Sequence, residues 1–321
     1  TLDITDNAIS IKAVTAIGVT RAVQTLTQLA EGYDDGAAPE LELVSITDWP
    51  AFKLRGWMQD VGRSFLSVEE LKKEIRLLSR FKVNVFHWHL TEKLAWRFQV
   101  NAYPELTADR NMTRYPGKFY TQAECREIEE YAAEHGITVI PEIDMPGHSD
   151  VFTQAMGFDM QSTRGRTALK KILDEVAATF TRAPYIHIGG DEVSIQAGFL
   201  EEMAGYVRNT LHRKVLLWNP LMNKGITSGI ADMTQMWSAN GKLVSGMPNI
   251  DCRYNYINHF DVYADLVGIY KSNIYYAQQG SEEIAGTITA TWNDTKTETE
   301  TDIIRQNNQY ANILASAERA W

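Results

Sequence analysis

His187-Ile-Gly-Gly-Asp-Glu192 carries the clearest chemistry in the chain: an apolar strand, two glycines and two adjacent carboxylates. Residues 184–188 form an apolar run too short for a helix and read as a buried strand. A strand that exits through Gly-Gly lets another group approach its backbone, because no Cβ stands in the way. Two carboxylates at that exit can supply one acid and one anion where their surroundings separate their pKa values. The plain alternative, a turn with a solvated acidic pair, explains Asp-Glu alone but not the strand and glycines before it.

Other reactive residues recur at strand ends. The first strand, read as Phe52 to Met58, runs out through Arg55-Gly-Trp-Met-Gln-Asp60. The second ends at His87-Trp-His89 and the third at Glu142-Ile-Asp-Met-Pro-Gly-His148. Later strands bring Trp218, Trp237, then Tyr254, Tyr256 and Asn258, and finally Trp292 and Asp294. Aromatic faces with a few fixed polar groups suit a sugar, whose ring faces are apolar and whose rim is hydroxylated. A single tryptophan is more often core than pocket; successive strand ends argue otherwise.

The elements that place these residues alternate. Strands are expected at 52–58, 83–90, 137–143, 184–188, 215–218, 233–237, 250–256 and 286–292. Ser67-Val-Glu-Glu70 and Thr121-Gln-Ala-Glu124 are capping boxes that open helices, the second of which runs to His135 and stops at Gly136. Further helices are expected near 165–180, 196–212 and 301–319. Eight strands, mostly separated by helices, predict an α/β (β/α)8 TIM barrel over 48–321, with active residues at the C-terminal strand ends. The sixth and seventh connections are weak, and Gly241 to Pro248 is too short for a full crossover helix. Upstream, residues 8–13 alternate like a strand, and Val19, Ala22, Val23, Leu26 and Leu29 form one helical stripe. One strand and one helix cannot stand alone, so residues 1–47 are expected to be the C-terminal part of a small α+β domain plus linker, with Gly32 to Pro50 as the connection.

The 321 residues are 44 % hydrophobic and 22 % charged, as in an ordinary globular protein. A net charge of −10 argues against nucleic acid as a partner. Cys125 and Cys252 fall in a helix and a strand and are not expected to pair. No apolar run is long enough to span a membrane.

An adjacent Asp-Glu pair is poorly placed to flank a glycosidic bond in the usual two-carboxylate manner, for which Glu142, Asp144 or Asp294 could serve as a partner from another strand. It suits another division of labour, in which a 2-acetamido group on the substrate attacks, one acid steadies it and the other protonates the leaving oxygen. The chain resembles the family 20 glycoside hydrolases, the β-N-acetylhexosaminidases, in Arg55-Gly, Phe86-His-Trp-His-Leu90, Pro141 to His148, His187 to Glu192 and Ala317-Glu-Arg-Ala-Trp321. That resemblance implies Glu192 as general acid/base, Asp191 on the acetamido N–H and Tyr256 on its carbonyl. It further implies Arg55 on the far hydroxyls, Trp218, Trp237 and Trp292 as walls, and His148 in a supporting network. No cofactor or metal is implied; the expected partner is a glycan with a terminal N-acetylhexosamine, and the expected location is secreted, periplasmic or cell-surface. Three departures stand out. Glu92-Lys93 replaces two acids, which puts a relay there in question; Asn258 replaces an Asp in Tyr-x-Asp, and Asp294 replaces a Glu, and both bear on hydroxyl recognition. Competing readings are release of a disaccharide in the manner of a lacto-N-biosidase, a barrel that binds amino sugars without cleaving them, and a metal-dependent amidohydrolase. The last would use His87, His89, His148, His187 and Asp191.

Overall fold

The computed structural model describes residues 1–31, 40–257 and 266–321, and the side chains of residues 306 and 307 also lie outside the description. Asn258 and residues 32–39 of the Gly32 to Pro50 connection therefore lie outside the described residues. The chain opens with β1 (Leu2–Ile4), β2 (Ile9–Ile11), α1 (Ala16–Leu29) and β3 (Val44–Ile46). The three strands make an antiparallel sheet in the order β2-β1-β3.

The barrel follows: β4 (Leu54–Asp60), α2 (Val68–Arg80), β5 (Val85–His89), the hairpin β6 (Thr91–Glu92) and β7 (Ala95–Trp96), then α3 (Gln122–Glu134) and β8 (Thr138–Glu142). Next come α4 (Asp150–Met156), α5 (Thr163–Thr179), β9 (Tyr185–His187), α6 (Phe199–Asn209), β10 (Lys214–Asn219), β11 (Met233–Met236) and β12 (Asn249–Asp251). The last elements are β13 (Tyr256–Ile257), α7 (Leu266–Lys271), β14 (Ile284–Thr291), α8 (Glu300–Asn307) and α9 (Gln309–Ala320). Parallel pairing runs β4-β5-β8-β9-β10-β11-β12, and β14 closes the ring by pairing with both β12 and β4. A closed, parallel eight-stranded TIM barrel results, as the alternation of elements predicts.

Closure demands a glycine at its seam. At Gly286 φ is +148°, and a Cβ there would lie 1.8 Å from the Leu54 carbonyl oxygen. Helices pack their apolar stripes on the outside of the ring: α5 buries Ala168, Leu169, Ile172, Leu173 and Val176, a 3.6-residue spacing. Thr121 and Glu124 complete their reciprocal capping box. The Ser67 box is only half closed within α2: Ser67 Oγ accepts from the Glu70 N–H, but its own N–H donates to Glu300 at 2.7 Å.

Four expectations need correction. The first strand lies two residues later than 52–58, because Ala51 and Phe52 donate to the carbonyls of Trp321 and Ala320 instead of joining the sheet. The seventh strand is split into β12 and β13 by a turn at Cys252–Asn255, which the Asp251 carboxylate braces by accepting from Arg253 and Tyr275. The last helix breaks at Asn308, whose φ of +46° is left-handed. The stripe Val19, Val23 and Leu29 on α1 faces outward; the residue that α1 buries is Arg21. Both cysteines are buried and unpaired.

Candidate active site

A cavity of about 160 Å³ opens at the C-terminal strand ends. Asp191, Glu192 and His148 stand on one side, Arg63 and Asp294 on another, with Trp237, Tyr256 and Trp292 as aromatic walls. Most of the residues expected at the site thus converge. The two acids reach it by an unusual backbone path: φ is positive at Gly189, Gly190 and Glu192. Gly189 is required sterically as well, since a Cβ there would lie 1.7 Å from Asp144 Oδ1. Two sequence motifs, Glu142-Ile-Asp144 and Gly189-Gly-Asp191, therefore touch where their chains would otherwise collide.

Adjacent in sequence, the acids differ in surroundings. The Asp191 side chain is 10 % exposed, that of Glu192 55 %. Burial pushes the Asp191 carboxyl up to about 6 against the opposing pull of His148. Directly beneath, Asp144 is fully buried with no hydrogen bond to either carboxylate oxygen among the described residues. Burial, followed by the Asp191 charge, raises Asp144 well above the carboxylate range. Two close buried carboxylates cannot both ionise, so this pair holds a proton between them.

His148 joins both acids to a third. Its Nε2 lies 3.3 Å from Glu192 Oε2 and 3.8 Å from Asp191 Oδ2, while Nδ1 contacts Glu92. Burial alone would lower its pKa; the hydrogen bond to Glu92 and the charges of Asp144 and Asp191 outweigh that and raise it to about 10. His148 is therefore an imidazolium at neutral pH. The chain of contacts Glu92–His148–Glu192 exists despite Lys93, because Glu92 alone provides the buried end.

Arg63 is the residue that the strand-end reading missed. It bridges Asp60 (2.9 Å), Glu92 (2.6 Å) and Asp294 (3.6 Å), and its guanidinium lies 5.2 Å from the Trp292 ring centre. Arg55 is not in the cavity. As the second residue of β4 it sits at the opposite, N-terminal end of the barrel, bonded to the carbonyls of Phe52 and Lys82. Starting the strand at Leu54 instead of Phe52 would have put Asp60 at its end and Arg63 just beyond. Trp218, expected as a wall, is fully buried one layer below, because it precedes the end of β10. Its ring underlies Trp292 at 5.9 Å.

That lower layer is a sealed hydrogen-bond cluster centred on Glu142. Glu142 Oε2 lies 2.8 Å from His87 Nε2 and 2.5 Å from His89 Nδ1, and Oε1 accepts from the Trp218 indole at 2.7 Å. The histidine charges outweigh burial and hold Glu142 well below the carboxylate range. Burial pushes His87 down to about 4, whereas Glu142, Asp60 and Asp144 bring His89 up to about 9. His87, Glu142 and His187 bring ligand atoms within 4.8 Å, as metal donors would. In this structure His87 Nε2 and Glu142 Oε2 are hydrogen-bonded to each other at 2.8 Å.

Comparison with known proteins accords with this geometry. Residues 52–164 match the catalytic domain of glycosyl hydrolase family 20. The Beta-hexosaminidase of Porphyromonas gingivalis is 39 % identical over 216 residues, covering 57 % of this chain and 28 % of that protein. The Beta-N-acetylhexosaminidase of Cellulomonas fimi is 32 % identical over 269 residues, covering 74 % of this chain and 53 % of that one. The chain thus spans about half, or less, of the length of these relatives. The crystal structure of beta-N-acetylhexosaminidase from Bacteroides fragilis superposes with a TM-score of 0.85 at 30 % identity, over 100 % of this chain and 76 % of the other. With its barrel, its acid pair and these relatives together, the chain belongs to glycosyl hydrolase family 20.

Proposed function

We propose that the chain is the catalytic part of a retaining exo-β-N-acetylhexosaminidase that uses the substrate's own acetamido group as nucleophile. The observation that carries this reading is the unlike burial of Asp191 and Glu192 on one edge of the cavity, with the remaining acid, Asp294, held to Arg63. The relatives' names, all hexosaminidases, support the substrate class.

In the first step the acetamido oxygen bonds to C1 as the C1–O bond to the aglycone breaks, and Glu192 gives its proton to the departing oxygen. The ionised Asp191 accepts from the acetamido N–H and stabilises the positive ring that forms; Tyr256 donates to the acetamido oxygen. In the second step Glu192 takes a proton from water, the water oxygen bonds to C1, and the ring reopens with the original anomeric configuration. His148, charged and anchored by Glu92, holds the Glu192 carboxylate for the reprotonation cycle. Arg63 and Asp294 are the groups placed to receive the far hydroxyls. The shorter Asp294 makes the preference between gluco and galacto sugars a property to measure with paired nitrophenyl substrates.

Glu192→Gln should lower kcat/KM on a nitrophenyl N-acetylglucosaminide by about 10²–10⁴, the worth of general acid catalysis. A thiazoline mimic of the cyclised intermediate should inhibit far more tightly than substrate binds. Equal activity in variant and wild type, or a covalent glycosyl ester trapped on a side chain, would defeat the proposal. Activity that disappears on chelation and returns with a divalent metal would favour the amidohydrolase alternative.

A further inference from the structure

At the far end of the barrel, where α1 and β1 meet the start of β4, lies a cavity of about 510 Å³. Two of its lining residues are arginines removed from solvent: Arg21 is 7 % exposed and Arg55 3 %. Among the described residues no carboxylate lies within salt-bridge distance of either guanidinium. Arg21 reaches the Gln24 side chain and the Gly136 carbonyl, each at 3.0 Å. Arg55 reaches the carbonyls of Phe52 and Lys82, and its guanidinium lies 4.9 Å from the Trp321 ring centre. Lys12 and Lys53 also border the cavity, against one acid, Asp48, which is bonded to Lys82 and to the Trp321 indole.

Burying an arginine is not in itself a sign of a ligand. Arg97 is fully buried with no carboxylate, and the carbonyls of Val61, Gly62, Arg114, Tyr115 and Lys118 receive its Nε, Nη1 and Nη2 together. Arg97 borders none of the large cavities and needs nothing more. Arg21 and Arg55 differ on both counts: the bonds described leave Arg21 Nε and Arg55 Nη2 unassigned, and both side chains face one open space. They are also close enough for the Arg21 charge to disfavour that of Arg55, which burial and this repulsion together bring down to about 9. An anion placed between them would remove the repulsion and take the remaining donors, and a guanidinium fork matches an oxyanion in shape.

We propose that this cavity binds a small organic oxyanion, its carboxylate, sulfate or phosphate group held between Arg21 and Arg55 and its body resting on Ile17 and Trp49. The site joins α1 to the barrel, so occupancy would tie the N-terminal sheet and helix to the catalytic ring. It lies at the opposite end from Glu192 and does not depend on the reading of the active site.

The test is thermal unfolding of the whole chain against inorganic phosphate and, separately, sodium glucuronate, with sodium chloride at matched ionic strength as control. Binding to the folded form alone predicts a saturable rise in Tm on the order of 2 °C with phosphate or glucuronate and none with chloride. Arg21→Met, which keeps the apolar stem, should abolish the rise while leaving hydrolysis of a nitrophenyl N-acetylglucosaminide unchanged; Arg55→Lys should weaken it about tenfold in concentration. Crystals soaked in selenate should show an anomalous peak between the two guanidiniums. A rise that chloride reproduces, a rise that survives in Arg21→Met, or no rise with either anion would overturn the proposal.

Discussion

Glu142 and Asp191 are buried carboxylates in adjacent layers of one barrel, and their environments act in opposite directions. Glu142 is ringed by three histidines and an indole, and is held as an anion. Asp191 has one imidazolium at 3.8 Å, a protonatable Asp144 beneath it and an open cavity in front, and its carboxyl is pushed up to about 6. Burial is common to both; the difference is whether the carboxylate's own oxygens already have partners. In the lower layer both Glu142 oxygens are taken, although His87 Nδ1, His89 Nε2 and His187 Nε2 around it have no hydrogen-bond partner among the described residues. The upper layer leaves Asp191 Oδ1 without a hydrogen-bond partner among the described residues, and Asp191 borders the cavity.

The largest effect should come from breaking the Glu142 cluster. Glu142→Gln strands the His89 imidazolium in the barrel and should cost about 3–5 kcal/mol of stability, read from the denaturant midpoint. The sign against pH is definite. The lowered Glu142 contributes stability above its unfolded value that is lost in acid, and the raised His89 contributes stability below its unfolded value that is lost as pH rises through about 9. Wild type should therefore lose stability relative to the variant at both extremes.

Asp191→Asn should do the reverse. Activity should fall by about 10²–10³, the scale on which loss of a transition-state electrostatic partner is felt. Stability at pH 7 should rise by at most about 3 kcal/mol, because a carboxyl raised from about 4 to about 6 favours folding only in its protonated form. That gain should vanish below about pH 4, and a Tm series across pH 4–8 checks it. A variant that melts lower than wild type at pH 7 would erase the contrast between the layers.

Gly189→Ala tests whether the layers are locked to each other. The new methyl would meet Asp144 Oδ1 from a left-handed backbone, and a loss of about 1–3 kcal/mol with a shifted acid limb of the pH–rate profile is expected. The smallest effect is the limb itself in the wild type: kcat/KM should decline as pH falls through about 6, when Asp191 takes up its proton. His148→Gln should move that limb upward, because the imidazolium favours the Asp191 anion.

Most of the eight strands were legible as short apolar or β-branched runs between turn signals. Ring helices such as α2, α3 and α5 were legible because each opens at a Ser or Thr cap and carries a 3.6-residue stripe, whereas α6 opens at Gly198 with no side-chain cap. The acid pair was legible because its glycines and its preceding strand share one local pattern. Depth along the barrel axis was not. Arg55 and Arg63 are eight residues apart on either side of one strand, and a two-residue error in the strand's start exchanges their ends of the barrel. Trp218 and Trp292 both stand at strand ends in the sequence, yet Trp218 precedes the end of β10 and is sealed while Trp292 follows the end of β14 and lines the cavity. The partner of Glu92 was not legible because His148 is 56 positions away in sequence and meets it only through the fold. The exposed stripe on α1 shows the converse: a pattern that announces a buried face, on a helix that buries an arginine.

The bond from the Ser67 N–H to Glu300 reaches across 233 positions of chain. A helix N-terminus whose donors lack acceptors frays, so the first ring helix acquires its full set only when the eighth hairpin of strand and helix has docked. Ring formation should then be an all-or-none event at its two ends: fragments that stop short of Thr299 would hold α2 loosely, and synthesis of the final helices would be the moment at which the earliest one becomes firm.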